Sequence, residues 1–254
     1  MTRLDHSPSR NVLVTGAAGG MARGINQRLA DAGHTVLCAD LDQGRVDEAA
    51  ARVQEAGGRA LAFAADVTDA DSVAGLRAAI EAQVGPVDVL VNAAGVLDRK
   101  LLTDHDRDSF AAVLEVNLTG AFRTIQEFSP GMVAGGWGRI VNVSSIAGVT
   151  GYPYPSYAAS KAGLSNLTRS LILDLRGTGV TVNAVCPGVV DTGMVIEEVR
   201  RRVEDQVPTG TIIDPEEIGA LIAFLITPEA RNINGANLVI DGGATAAVEF
   251  FRAG

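Results

Sequence analysis

Tyr157 and Lys161 are the pair whose types and spacing first suggest chemistry. They stand four apart at the start of a helical stretch, roughly Ser156–Arg176, so both project from one face. A free phenol has a pKa of about 10 and is a poor base at neutral pH. An ammonium beside it stabilises the phenolate and lowers that value. Such a pair can protonate the alkoxide formed when a ketone is reduced, or take the proton of an alcohol being oxidised. From the spacing alone, a surface Tyr/Lys pair on an amphipathic helix is the plainer account, and only the surroundings reverse it. Ser144-Ser145 close the apolar run Arg139–Val143. A serine at the C-terminal end of a strand in an open α/β sheet lies where ligands bind, and its hydroxyl can donate to a developing oxyanion. It is not a nucleophile, because His6, His34 and His105 stand in no motif. No cluster of His, Cys or paired carboxylates has ligand spacing, so no metal is expected.

A second group of residues suits a dinucleotide. The run Asn11–Thr15 leads into Gly16-Ala17-Ala18-Gly19-Gly20-Met21-Ala22, and a helix follows. A glycine-rich strand-to-helix turn leaves N–H groups free at a helix N-terminus, where the dipole favours a pyrophosphate. Asp40 ends the second strand, twenty residues after Gly20. Its carboxylate can accept from an adenosine ribose and would repel a 2′-phosphate. The neighbours Ala39, Leu41, Asp42 and Gln43 include no base, so the reading is NAD rather than NADP. A plain tight turn, and an Asp that merely starts a turn, are the bland alternatives.

These residues need elements to position them. Asn11–Thr15, Thr35–Ala39, Ala60–Ala64, Val87–Val91, Arg139–Val143, Val180–Val185 and Asn237–Ile240 read as strands. They lack clean alternation, as strands buried on both faces do. Between them lie helical patterns at roughly Met21–Ala32, Gln43–Ala56, Ala70–Gln83, Arg107–Val133, Ser156–Arg176 and Pro215–Leu225. The alternation predicts an α/β fold: one doubly wound (Rossmann) domain over 1–254, with a seven-stranded parallel sheet and helices on both faces. The net charge is −9 and no basic patch appears. Arg200-Arg201-Arg202 is flanked by Glu197, Glu198, Glu204 and Asp205 and reads as a solvated helix face. Nucleic acid and anionic membranes are therefore poor partners. Cys38 and Cys186 read as buried thiols. No run approaches the roughly 18 apolar residues of a membrane span, and the first ten residues have no apolar signal region, so a cytoplasmic enzyme is expected.

In order and spacing these segments resemble the short-chain dehydrogenase/reductase family over about Asn11 to Gly243. Thr15-Gly16-x-x-x-Gly20 looks like its cofactor loop, followed by Met21; the usual third glycine is Ala22 here. Asp66-Val67 resembles the adenine contact. Asn92-Ala93-Ala94-Gly95 is similar to the Asn-Asn-Ala-Gly segment, so Asn92, Ala94 and Gly95 carry over. Pro187-Gly188, with Val190 and Thr192 beyond, resembles the segment that holds the nicotinamide carboxamide. The resemblance implies Tyr157 as general acid/base and Lys161 as the group that lowers the tyrosine pKa and binds ribose. It implies Asn117 as a residue that kinks its helix and supports the proton path. It implies a serine followed by two residues and a glycine; Ser145-Ile146-Ala147-Gly148 fits, although Ser144 has the commoner spacing of thirteen to Tyr157.

The expected reaction interconverts a secondary alcohol (small alcohol, polyol or hydroxy acid) and its ketone with NAD(H). The nicotinamide carries the hydride. A 3-oxoacyl thioester reductase is the nearest alternative, and a non-catalytic sensor or scaffold a remote one. The small-molecule pocket is expected beside Val96, Leu97, Tyr152 and Tyr154, under a lid at about 189–213. Small residues on the long helices fit a homotetramer, or a dimer, as the resemblance implies. The aromatics of Val248-Glu249-Phe250-Phe251 are expected to pack on a neighbouring subunit.

Overall fold

Valine-rich strands that alternate with amphipathic helices bury both faces of a single sheet. The computed structural model describes residues 8–193 and 195–247. Strands β1 (Asn11–Thr15), β2 (Thr35–Asp40), β3 (Arg59–Ala64), β4 (Val89–Asn92), β5 (Gly138–Val143), β6 (Val180–Pro187) and β7 (Asn237–Ile240) form a parallel sheet. Its order is β3-β2-β1-β4-β5-β6-β7. The order reverses between β1 and β4, which opens a crevice at their C-terminal ends. Val12 and Val14 point to one face, into a core made with Ile25 and Leu29 of helix α1 (Gly20–Asp31) and Ile218 and Ile222 of α8 (Pro215–Leu225). Leu13 points to the other, toward Leu76 and Ile80 of α3 (Ala70–Val84) and Ile125 and Phe128 of α5 (Ala121–Ala134). This is the two-residue alternation of a strand, with both sides apolar. Helix α2 (Gln43–Glu55) covers β2 and β3, capped by Asp42, whose side chain accepts from the Arg45 N–H at 2.9 Å.

Three departures from the sequence reading bear on the site, beside shifts of one or two residues at other element ends. The single helix expected over Arg107–Val133 is α4 (Arg107–Leu114), a π-helical turn at Glu115–Gly120, and α5. Apolar periodicity runs through the wide turn, so the pattern reads as unbroken. The extra residue turns Asn117 inward, and Gly120 lets Val67 approach: a Cβ there would stand 2.8 Å from Val67 Cγ2. β4 begins at Val89 rather than Val87, although the Asp88 backbone just before it already donates to Asn11 O at 3.0 Å and accepts from Arg139 N at 3.2 Å. β6 runs on to Pro187, carrying the cofactor segment to the sheet's rim.

Beyond β6, Val190 pairs with Ile213 in an isolated bridge. The intervening segment carries α7 (Glu197–Gln206), on which no described residue is buried. Arg200 pairs with Asp191, and Arg201 with Glu197 at 3.0 Å, so the basic run is a solvated, paired helix face. Helix α6 (Pro155–Asp174) completes the elements around the crevice. Both cysteines are free and buried. Among the described residues no helix is long and apolar enough to cross a membrane. The tail Val248-Glu249-Phe250-Phe251 lies outside the described residues.

Candidate active site

The turn after β1 is built around positions that exclude a side chain. Gly16 has φ +66°, and a Cβ there would lie 2.6 Å from Ala94 Cα. Only glycine combines that conformation with that contact. A Cβ at Gly20 would lie 2.7 Å from Thr192 Cβ, so the loops after β1 and β6 meet at backbone distance. Both cradles stand where a Cβ would fill the approach of a pyrophosphate to the start of α1. Asp40 accepts from Ala18 N at 3.0 Å and Leu41 N at 2.8 Å, which holds its carboxylate on the rim of a cavity of about 360 Å³. Gly16, Asp66, Val67, Ala94 and Gly95 line the same cavity. The Thr68 hydroxyl and N–H, at 2.7 and 2.8 Å, hold the Asp66 carboxyl below its usual range. The donor-rich turn, the carboxylate and the apolar slot fit an adenine dinucleotide.

Other expected cofactor positions serve the frame. Asn92 is buried, with Nδ2 donating to Asn142 Oδ1 at 2.9 Å and Oδ1 accepting from Thr124 Oγ1 at 2.6 Å. Asn142 in turn donates to Thr168 Oγ1. This network ties β4, β5, α5 and α6 beneath the crevice. Val190 and Met21 pack against the core. Gly188 approaches Asp241, where a Cβ would lie 3.0 Å from its Cβ, and donates to Ile240 O at 2.9 Å; Pro187 ends β6 beside it.

Asn117, Ser145, Tyr157 and Lys161 converge at the C-terminal end of β5. A Cβ at Gly95 would stand 3.2 Å from Asn117 Oδ1 and 3.4 Å from Lys161 Nζ, so the dinucleotide crevice opens onto these groups. Asn117 is fully buried. Its Oδ1 accepts from Val96 N at 2.7 Å, and its Nδ2 donates to Val96 O at 2.9 Å and Ser160 Oγ at 3.0 Å. Both amide donors are thus committed to the segment after β4 and to α6. Lys161 Nζ donates to Val143 O at 2.8 Å. Ser144 Oγ donates to Lys161 O at 2.9 Å and shares a bond with Ser165 Oγ at 2.8 Å, whereas Ser145 Oγ accepts only from Ala147 N at 3.1 Å among protein groups with a described bond. Ser145 is also near enough to Tyr157 to favour its phenolate.

The electrostatics correct one expectation. Burial pushes the Tyr157 phenol up, Ser145 pulls it back, and the charge of Tyr152, whose ring centroid lies 5.9 Å away, pushes it up again. The ammonium does not impose the expected fall. It is turned onto the Val143 carbonyl, 5.7 Å from the tyrosine ring centroid, and burial has pulled Lys161 itself down to about 8. Turned away onto a carbonyl, the ammonium is a weak source of field at the phenol.

Of the basic residues that carried no motif, Arg45 reaches the crevice and Arg99 is near enough to Tyr152 to act on its phenol. Arg45 lines the adenine-side cavity and donates from Nη2 to Ala18 O at 3.3 Å. Its one sequence signal is its place on the first turn of the helix that Asp42 caps. Arg99, exposed after β4, acts on Tyr152, whose phenol burial raises and Arg99 draws down. The missing third glycine is made good from another position. Ala22 is buried, and the close approach falls to Gly24, where a Cβ would meet the Pro215 carbonyl carbon at 2.2 Å, and to Gly219, where one would meet Gly24 O at 2.6 Å.

Comparison with known proteins agrees with this architecture. A family described as Enoyl-(Acyl carrier protein) reductase matches residues 16–245. A cis-4-hydroxycyclohexanecarboxylate dehydrogenase of Sinomonas cyclohexanicum is 41% identical over 242 residues, 93% of this chain and 97% of that protein. An acetoacetyl-CoA reductase of Allochromatium vinosum is 37% identical over 242 residues, covering 92% and 98%. Among solved structures, a gluconate 5-dehydrogenase from Burkholderia cenocepacia J2315 in complex with NADP and tartrate has a TM-score of 0.89 at 28% identity, covering 96% of this chain and 98% of that one. Likeness on this scale extends over nearly the whole of both partners, and with the crevice geometry it identifies the chain as a member of the short-chain dehydrogenase/reductase family of Rossmann-fold oxidoreductases.

Proposed function

We propose that this oxidoreductase oxidises the secondary hydroxyl of a small hydroxy acid with NAD and reduces the corresponding ketone in reverse. The observation that carries the reading is the meeting of Tyr157, Ser145 and Lys161 at the end of the crevice that Gly95 closes. When bound, the nicotinamide supplies the hydride acceptor. Ser145, whose hydroxyl is the one of the two serines not tied to Lys161, holds the substrate oxygen. Tyr157 takes the hydroxyl proton in oxidation and returns it in reduction. Lys161 offers its amine to the ribose side, and Asn117 holds Val96 and Ser160 in place around the proton path. The segment at about 189–213 acts as the lid of a single domain, hinged at the Val190–Ile213 bridge.

A carboxylate on the substrate is supported by Arg99, the cation whose charge reaches Tyr152 next to Tyr157. The relative above is a hydroxycarboxylate dehydrogenase, and the structural neighbour is in complex with tartrate. NAD is supported by the Asp40 carboxylate on the cavity rim. The test is a panel of secondary alcohols and hydroxy acids assayed with NAD, against a Tyr157→Phe variant. Turnover of hydroxy acids that falls by about 10² to 10⁴-fold in the variant supports the reading. Dinucleotide binding with no Tyr157-dependent turnover of any compound overturns it in favour of a sensor.

One observation favours a second reading. Arg45 places a guanidinium in the cavity with Asp40, and guanidinium suits a 2′-phosphate. With NADPH, the chain would reduce a 3-oxoacyl thioester, as the name of the acetoacetyl-CoA reductase relative suggests. Preference for NADPH in wild type, lost in Arg45→Gln, selects this reading. Preference for NAD, lost in Asp40→Ala, selects the first.

A further inference from the structure

The opposite end of the sheet holds a basic cleft that the redox chemistry does not use. It opens at the N-terminal ends of β5 and β6 and has a volume of about 640 Å³. Three arginines line it: Arg139 of β5, Arg176 just beyond α6, and Arg231 before β7. No Asp or Glu lines it. That is unusual placement in a chain whose 30 carboxylates outnumber its 21 lysines and arginines. Among the described residues, none of the three arginines is in an ion pair.

Arg139 is the informative member. It is only 4% exposed. Its Nη1 donates to the carbonyls of Gly138 and Gly179 at 2.8 and 3.2 Å, and its Nε is buried without a partner. A buried cation costs free energy unless it is paired, and two carbonyl dipoles do not supply a countercharge. Arg10, itself paired with Asp88 at 3.3 Å, stands beside Arg139 without offering it a countercharge. Its guanidinium lies 3.7 Å from the Trp137 ring centroid, and that of Arg139 lies 4.5 Å from the same centroid. Burial and the Arg10 charge both disfavour the protonated form of Arg139. The guanidinium is therefore held where an anion would relieve it. Trp137, Leu173 and Pro228 provide apolar wall beside the charges.

We propose that this cleft binds a small oxyanion, a carboxylate or phosphate carried on an apolar body, held by the Arg139, Arg176 and Arg231 guanidinium groups. Guanidinium is the side chain suited to such groups, because its fork matches two oxygens at once. The site is separate from the redox crevice. Arg139 and Ser145 stand six residues apart along β5 and its extension, about 20 Å at strand rise. On α6, Tyr157 and Leu173 are sixteen residues apart, about 24 Å along a helix. The ligand is thus neither the cofactor nor the substrate of the crevice.

The test uses the whole protein saturated with NADH, so that the phosphate-binding turn after β1 is filled. Inorganic phosphate and citrate are titrated separately by calorimetry, which distinguishes the phosphate from the carboxylate source. The expected result is saturable binding of at least one of them, one site per chain. Affinity should fall at least about tenfold in Arg176→Gln/Arg231→Gln, since charged hydrogen bonds contribute about 1.5–3 kcal/mol each. Turnover in the crevice should be unchanged. Arg139→Lys keeps the charge but loses the fork, and should weaken binding without loss of folding. Absence of saturable binding overturns the proposal, as does equal affinity in the double variant. So does a double variant whose only change is a smaller assembly in sedimentation, which would make the cleft a contact between copies.

Discussion

Two adjacent serines separate by what their hydroxyls touch. Ser144 is spent on Lys161 O and Ser165, inside the packing of β5 against α6, whereas Ser145 faces Tyr157. Ser145→Ala is accordingly expected to lower kcat by about 10² to 10³-fold with little change in Tm, as for loss of an oxyanion donor. Ser144→Ala should do the reverse and cost about 1–3 kcal/mol of stability by leaving buried partners unmet. Steady-state kinetics and thermal melts of both variants check this, and an exchange of the two phenotypes would make Ser144 the active hydroxyl. Lys161 makes a pH prediction. Its folded value of about 8 lies below the ordinary 10.5. Between those values the unfolded chain holds a proton that the folded chain has released, so this group makes stability rise with pH across the window. Below about 8 the cost of the buried charge is fully present. The difference in unfolding free energy between wild type and Lys161→Met should therefore move in favour of wild type from pH 7.5 to 10 in urea denaturation. A constant difference would mean that the amine titrates normally. Tyr157, pushed above its ordinary 10.0, opposes this trend only at higher pH.

At the scale of elements, the crevice depends on how closely α1 meets α8. Gly24 and Gly219 face each other across that contact, and neither tolerates a Cβ without backbone movement. Gly24→Ala is expected to cost about 1–3 kcal/mol through overpacking. Because Gly20 on the same helix abuts Thr192, the displaced helix should also raise the KM for cofactor several-fold, with kcat kept at saturation. A melt and a cofactor titration measure both effects; an unchanged Tm would show that α8 yields freely. The π-helical turn at Glu115–Gly120 has a similar role for the chemical end. It stores a distortion inside an otherwise continuous helix and turns Asn117 to bridge Val96 and Ser160.

For the whole molecule, the exposed apolar residues lead to a prediction about assembly. Phe122 on α5 is 42% exposed, and Val133 on the same helix is 40% exposed. A helix hydrophobic on its outer side as well as its inner is suited to a two-fold contact with a second copy. Sedimentation equilibrium should give two or four times the 26.3 kDa chain, and Phe122→Glu should lower that mass. A wild-type monomer would end the oligomer reading. The contribution of the tail beyond Ala247 is tested in the same experiment by truncation.

The residues legible from the chain alone were those limited by backbone or reactivity. Gly16 is read from its place after a strand because φ +66° and the Ala94 contact admit nothing larger. Tyr157 and Lys161 are read from a four-residue spacing that any helix converts into a shared face, and the seven strands from continuous apolar runs that only a doubly covered sheet buries. What remained for the tertiary structure was set by distance between segments far apart in sequence. Arg45 and Arg99 carry no pattern until folding brings them to Ala18 and Tyr152. Gly24 takes over the packing expected two residues earlier because Pro215 happens to face it. The sign of the Tyr157 shift was likewise beyond spacing, which puts a cation near a phenol but says nothing of burial or of the Val143 carbonyl that turns the ammonium away. Local periodicity determines which elements form and which face a side chain takes; desolvation and contact across the sheet are properties of the packed whole.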